Sequence, residues 1–255
     1  MQLIHLDHVP CLTIPEWISF SGLKHGIFTR RGGCSREPFD SLNVACSVGD
    51  AACRVKHNRR TIAAALKGSR YVFAHQTHGT DDVVLRGGVP FPENGRGACS
   101  GDALITDIPG IRLVIQVADC QAVLLYDRRR RVIANIHAGW RGSVAGIIGK
   151  TVRRLQQVFG CRPQDLSAAI SPSLGPCCAE FVNYRREIPR RYWAYKDRRD
   201  HFDFWALSRD QLIESGVPAD RIHISRLCTR CRTDLFFSYR AQKQTGRFAA
   251  VIGLD

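Results

Sequence analysis

The 255-residue chain contains no apolar run approaching the ~18–20 residues of a membrane span. Its first twenty residues are interrupted by His5, Asp7, His8, Pro10 and Pro15, which disfavours a signal peptide. Membrane insertion and secretion are both disfavoured, and a cytoplasmic location is expected. Internal repeats, low-complexity tracts and long Gly/Ser linkers are also lacking, so residues 1–255 are read as a single domain. There is one methionine, Met1, and no His-x-His pair among nine histidines. Multinuclear copper chemistry needs many imidazoles, and a blue-copper centre commonly adds an axial Met, so both are weakly supported. Lysine is scarce as well, six of 37 basic residues.

That arginine excess gives a formal charge of +14. The densest basic cluster, Tyr184–Asp200, interleaves Arg185, Arg186, Arg190, Arg191, Lys196, Arg198 and Arg199 with Tyr184, Tyr192, Trp193 and Tyr195. Such a run can bind nucleic acid, but the more frequent explanation is a solvated face whose Arg stems cover apolar surface. A basic RNA-associated module is therefore a minor alternative. Eleven cysteines, odd in number and scattered from Cys11 to Cys231, are not a disulfide framework and are read as reduced thiols. Cys228-Thr229-Arg230-Cys231 has the spacing of half a zinc site. Its other half is not obvious, although Cys177-Cys178 lies elsewhere, and neither pair is expected to bind metal.

The first third reads as loop-rich, followed by a short helix over Asn58–Leu66, a strand over Tyr71–His75 and a Gly/Pro-rich loop over Pro90–Gly101. Strands are expected at Leu113–Val117, Ala122–Tyr126, Arg131–Ile136, Asp165–Ile170, Arg221–Arg226 and Phe248–Ile252. Apolar residues at helical spacing predict a helix from Ser143 to its stop at Gly160, and another spans Trp205–Ser215. Interleaved elements with a visible hairpin favour an α+β architecture with a mixed sheet.

That hairpin carries the chemistry. A turn centred between Arg128 and Arg129 pairs Cys120 with His137 on one face, with Cβ atoms ~4.5–5.5 Å apart. Asp119 precedes the cysteine, and Ala138-Gly139-Trp140-Arg141-Gly142 follows the histidine. The two glycines allow close approach of a ligand. Arg141 and the helix start at Ser143 favour an anion. A third candidate lies in His75-Gln76-Thr77-His78-Gly79. The residues leave His75 and His78 both open, with the easier approach from His78, and a Cys/His/His set would leave the vacant fourth position of catalytic zinc.

These residues resemble the family named for a multicopper polyphenol oxidase (laccase) domain, also described as purine nucleoside phosphorylases. The matching runs include Thr29–Ser35, Ser41-Leu42-Asn43, Val48-Gly49-Asp50, Gln76–Gly79, Asp102–Thr106, Ala118-Asp119-Cys120, His137–Gly142, Gly175–Cys178 and Phe236–Arg240, across roughly Gly22 to Leu254. The resemblance implies an α/β/β/α fold with mixed sheets, similar to the catalytic domain of cytotoxic necrotizing factor toxins. It also implies His78, Cys120 and His137 as zinc ligands. The implied activities are phosphorolysis of adenosine, inosine and methylthioadenosine, and adenosine deamination. Gln121 departs from a frequent proline and Ala179 from a frequent aromatic.

On this reading Arg30, Arg31 and Arg141 clamp phosphate, Asn43 or Gln76 bonds the ribose, and Asp119 is the candidate proton shuttle beside Cys120 and His137. The runner-up is a metal-free hydrolase acting on amides or peptides such as cell-wall fragments. There Cys120 is the nucleophile, His137 its base, and Asp119 or Gln76 an orienting group. Copper in place of zinc, with polyphenol oxidation, is a weaker alternative. The sequence leaves monomer or homodimer open.

Overall fold

Continuous apolar strands signal burial on both faces, and the structure shows what covers them. It is a computed structural model that describes residues 1–68, 70–87 and 99–255. Its strands are β1 (Gln2–Leu6), β2 (Val9–Thr13), β3 (Leu23–Phe28), β4 (Arg70–His75), β5 (Asp82–Leu85), β6 (Cys99–Ser100), β7 (Ala103–Thr106), β8 (Ile111–Val117), β9 (Gln121–Asp127), β10 (Val132–Ala138), β11 (Leu166–Ile170), β12 (Ile222–Ile224) and β13 (Phe248–Leu254). One sheet runs β1-β2-β3-β13-β8-β4-β6 and the other β12-β11-β9-β10-β7-β5. Both are mixed, since β4 lies parallel to β8 and β5 to β7, while β9 and β10 are antiparallel.

The helices are α1 (Pro15–Ile18), α2 (Ala52–Leu66), α3 (Trp140–Val144), α4 (Ile147–Phe159), α5 (Tyr184–Glu187) and α6 (Phe204–Glu214). Between the sheets lies a core of Leu113, Ile115, Phe248 and Ile252 from one and Leu104, Leu124, Tyr126 and Ile133 from the other. On the outside, α2 sets Ile62 and Leu66 against Tyr71, Phe73 and Val251. On the opposite outside, α4 and α6 set Ile148, Val152, Leu155 and Leu212 against Val123, Leu125 and Ile136. This is the expected α/β/β/α layering. Each fully buried aliphatic side chain contributes about 1.5–3 kcal/mol, so these stripes hold the helices on the sheets. No helix among the described residues is long and apolar enough to cross a membrane.

Several boundaries differ from expectation. The loop-rich first third contains the β1-β2-β3 meander, whose exposed edge strand and interspersed His5, Pro10 and His25 blur its alternation. The helix expected over Asn58–Leu66 begins six residues earlier, at Ala52. The helix expected from Ser143 to Gly160 is two helices, because Gly146 takes the left-handed φ of +78° between α3 and α4. Most of the Pro90–Gly101 loop lies outside the described residues.

The β9–β10 register is corrected by two residues. Asp127 Oδ1 accepts the backbone N–H groups of Arg129 and Arg130, and Arg131 adopts φ +53°, so the turn is centred one residue later than expected. His137 therefore pairs with Ala122, not Cys120. A shift of two preserves the face of every side chain, so Cys120, just before β9, still meets His137.

Candidate active site

The ligand atoms of His78, Cys120 and His137 lie within 4.8 Å of one another. His137 ends buried β10, Cys120 immediately precedes β9, and exposed His78 comes from the loop after β4. The His78 and His137 rings meet edge to face, with centroids 4.7 Å apart. His78 and Asp119 both hold positive φ, +61° and +85°, an uncommon backbone state that clusters at functional sites. Gly139 completes the cradle, because a Cβ there would come within 3.2 Å of both Cys120 Sγ and His78 Cδ2.

Behind this set lies Asp102, fully buried. Its Oδ1 is 2.7 Å from His137 Nδ1, and its carboxylate accepts the backbone N–H groups of Thr77, His78 and Gly79 and the Thr77 hydroxyl. Burial would raise its pKa, but these donors and His137 outweigh it and hold the carboxyl well below the usual range. Bonding at Nδ1 leaves Nε2 as the His137 atom for a ligand, the carboxylate–histidine arrangement of metal sites. Burial opposes charge on Cys120 and His137 too, yet each stabilises the other: the thiol falls to about 6 and the imidazole rises to about 9. A soft thiolate with two imidazoles fits zinc with an open fourth position.

The three groups open into a cavity of about 710 Å³, within the range of small-molecule sites. Trp140, Phe181 and Phe204 form part of its wall, and Arg141, Arg240, Lys243 and Arg247 bring four cations to it. Burial lowers the Arg247 pKa against the opposing pull of Cys120, Asp119 and Tyr239. Arg141 lies over the Trp140 ring, 4.2 Å from its centroid.

Other expected site residues serve the scaffold. Arg30 donates to Asp40 and to the Thr233 carbonyl, and Arg31 donates to the Asp234 carbonyl; neither lines the cavity. In this structure both side chains tie neighbouring loops together. Buried Asn43 bonds Ala45, Asp50 and the Arg247 N–H, holding the chain beside the site rather than a ribose. Gln76 lines the cavity, but both ends of its amide bond the Gln116 backbone. The Asp119 carboxylate accepts from Thr229 Oγ1, Ser238 Oγ and the Arg240 N–H at 2.5–2.6 Å, so it anchors the surrounding loops. Asp102, beside His137, fills the orienting place. Arg247 was missed because nothing in Gln242–Arg247 signals that its irregular chain returns to Cys120.

Residues 24–255 match the family described as multi-copper polyphenol oxidoreductase laccase. The chain belongs to that family. It is 34% identical to a purine nucleoside phosphorylase of Bacteroides thetaiotaomicron over 87% of each chain. It is also 34% identical to the purine nucleoside phosphorylase YfiH of Escherichia coli K12, over 95% of this chain and 98% of that one. The crystal structure of the Bacillus licheniformis hypothetical protein YfiH superposes with a TM-score of 0.89 at 32% identity, covering 98% of both chains. YlmD from Geobacillus stearothermophilus follows with 0.85 at 33% identity, over 96% of each. In this family member Gln121 is buried and bridges the Phe204 carbonyl and the Ser208 hydroxyl, pinning the start of α6 beside the cavity.

Proposed function

We propose that this protein is a zinc-dependent purine nucleoside phosphorylase acting on adenosine, inosine and methylthioadenosine, with adenosine deamination as a second activity. The observation that carries the reading is one cavity joining a Cys/His/His set, an aromatic wall and four cations. Arg247, Arg240 and Lys243 hold phosphate, while Trp140, Phe181 and Phe204 face the purine. A phosphate oxygen bonds to the ribose anomeric carbon as the carbon–nitrogen bond breaks, and its electron pair leaves on the base. The cations keep the phosphate in place and screen it as charge redistributes. His78, Cys120 and His137 would hold zinc, which when bound supplies a Lewis acid beside the reacting groups. Asp102 fixes the His137 ring throughout.

Asp119 is the one acidic residue lining the cavity among the described residues, and its carboxylate is occupied. The cation-rich wall therefore favours phosphorolysis as the main reaction. Incubating purified protein with adenosine, with and without phosphate, and separating adenine, inosine and hypoxanthine tests this. Adenine formed only with phosphate supports the reading; turnover equal in wild type and Cys120→Ala overturns it.

A specific observation supports a second reading. Asp102, His137 and Cys120 line up as orienting carboxylate, base and thiolate, the arrangement of a cysteine hydrolase. Rapid alkylation of Cys120 in protein purified without chelator, together with no zinc at His78, Cys120 and His137, favours this alternative.

A further inference from the structure

The structure brings together two cysteine pairs that are 50 residues apart in the chain. Cys177 and Cys178 lie in the turn after Gly175, and Cys228 and Cys231 in the loop after β12. The four sulfurs all lie within 4.8 Å of one another, and Cys231 Sγ is 3.6 Å from both Cys177 Sγ and Cys178 Sγ. A metal with four sulfurs at about 2.3 Å sets them roughly 3.8 Å apart, whereas a disulfide needs about 2.05 Å. The spacing matches a tetrahedral metal cage.

The surrounding backbone suits thiolates. The Gly175 N–H points at Cys228 Sγ, 3.3 Å away. Gly175 is required, because a Cβ there would lie 2.6 Å from the Trp205 ring and 3.1 Å from Cys228 Cβ. The two loops already meet through a bridge between Ser173 and Cys228 and the bond from Thr229 N–H to the Ser173 carbonyl.

We propose that Cys177, Cys178, Cys228 and Cys231 form a second metal site, a tetrathiolate centre for a thiophilic divalent cation, zinc foremost. Four protein ligands close the coordination sphere, so the role is structural. This reverses the sequence-based expectation that neither pair binds metal. The reason that expectation failed is that vicinal cysteines and a CxxC become one cage only when two distant loops converge. The cage sits next to the active site without entering it. Thr229, beside Cys228, holds the Asp119 carboxylate, and the Leu174 N–H donates to the Asp119 carbonyl. A metal here clamps both loops around the residue preceding Cys120.

Metal counting on the purified full chain tests the proposal without any activity. Wild type is expected to carry about two zinc ions per chain, and Cys120→Ala about one. X-ray absorption of the Cys120→Ala protein should show an all-sulfur shell at about 2.3 Å. Replacing zinc with cobalt in that variant should give the absorption of tetrahedral cobalt thiolate. Cys177→Ser/Cys231→Ser should lose one equivalent and keep the mixed nitrogen and sulfur site. Should that double variant fail to fold, the Cys120→Ala spectra decide alone. Cys120→Ala protein without stoichiometric metal, with a nitrogen-containing shell, or with disulfides linking these four cysteines by mass would overturn the proposal.

Discussion

The Asp102 carboxylate lies 2.7 Å from His137 Nδ1, and both groups are buried. This contact selects which imidazole nitrogen faces Cys120, and it ties the residue before β7 to β10 behind the cavity wall. Asp102→Asn keeps the shape but removes the charge and offers an amide N–H where acceptors are needed. Zinc affinity or phosphorolysis should fall about 10–100-fold, read by chelator competition and by initial rates. Unfolding should also become easier by about 1–3 kcal/mol in urea.

Metal-free protein should show the Cys120–His137 ion pair directly. Alkylation of Cys120 should rise with pH and reach half its maximum near 6, where an ordinary thiol does so near about 8.5. The stability of metal-free protein follows from the signs of the shifts. His137, raised to about 9, contributes stability that is complete below about 6.5 and is lost as pH rises toward 9. Asp102, depressed, contributes stability that is complete above about 4 and is lost on acidification. Cys120, lowered to about 6, contributes stability that is complete above about 9 and is lost as pH falls through 6, so the slopes of the two partners cancel between about 6.5 and 9; urea midpoints should stay level there and fall on acidification.

Arg247→Ala should raise KM for phosphate at least about tenfold, the loss of roughly one charge-assisted hydrogen bond. Arg31→Ala is the contrasting variant. Its side chain ties an exposed loop, so KM for phosphate should not move and stability should change by less than about 1 kcal/mol. Equal effects of the two substitutions would return the phosphate clamp to the Thr29–Ser35 motif.

Asp119→Asn tests anchor against shuttle. The amide leaves at least one of three short donors unpaired, so destabilisation of about 1–3 kcal/mol is expected in urea. The pH profile of kcat/KM should keep its shape. A variant of native stability that loses an acidic limb would instead make Asp119 the proton carrier.

Much of the fold was legible in the chain because its signals are local. The apolar runs of β8, β9, β10 and β13 and the stripe of α4 announce themselves by burial period alone. The meeting of Cys120 and His137 was also legible, since a hairpin brings its two ends together and a two-residue register shift leaves the face unchanged. The first-third meander was not, because an exposed edge strand carries little alternation.

What sequence by itself determined was the family, through ordered motifs, and the identity of the three candidate ligands. Tertiary structure decided which polar residues face the cavity. Arg30, Arg31 and Asn43 sit in motifs as prominent as those of the site, yet their side chains hold loops together. Arg247 and the four-cysteine cage arise instead from irregular loops converging across more than 50 residues. Local spacing encodes no such approach: it follows from where the packed sheets and their hydrogen-bonded loops set the backbone.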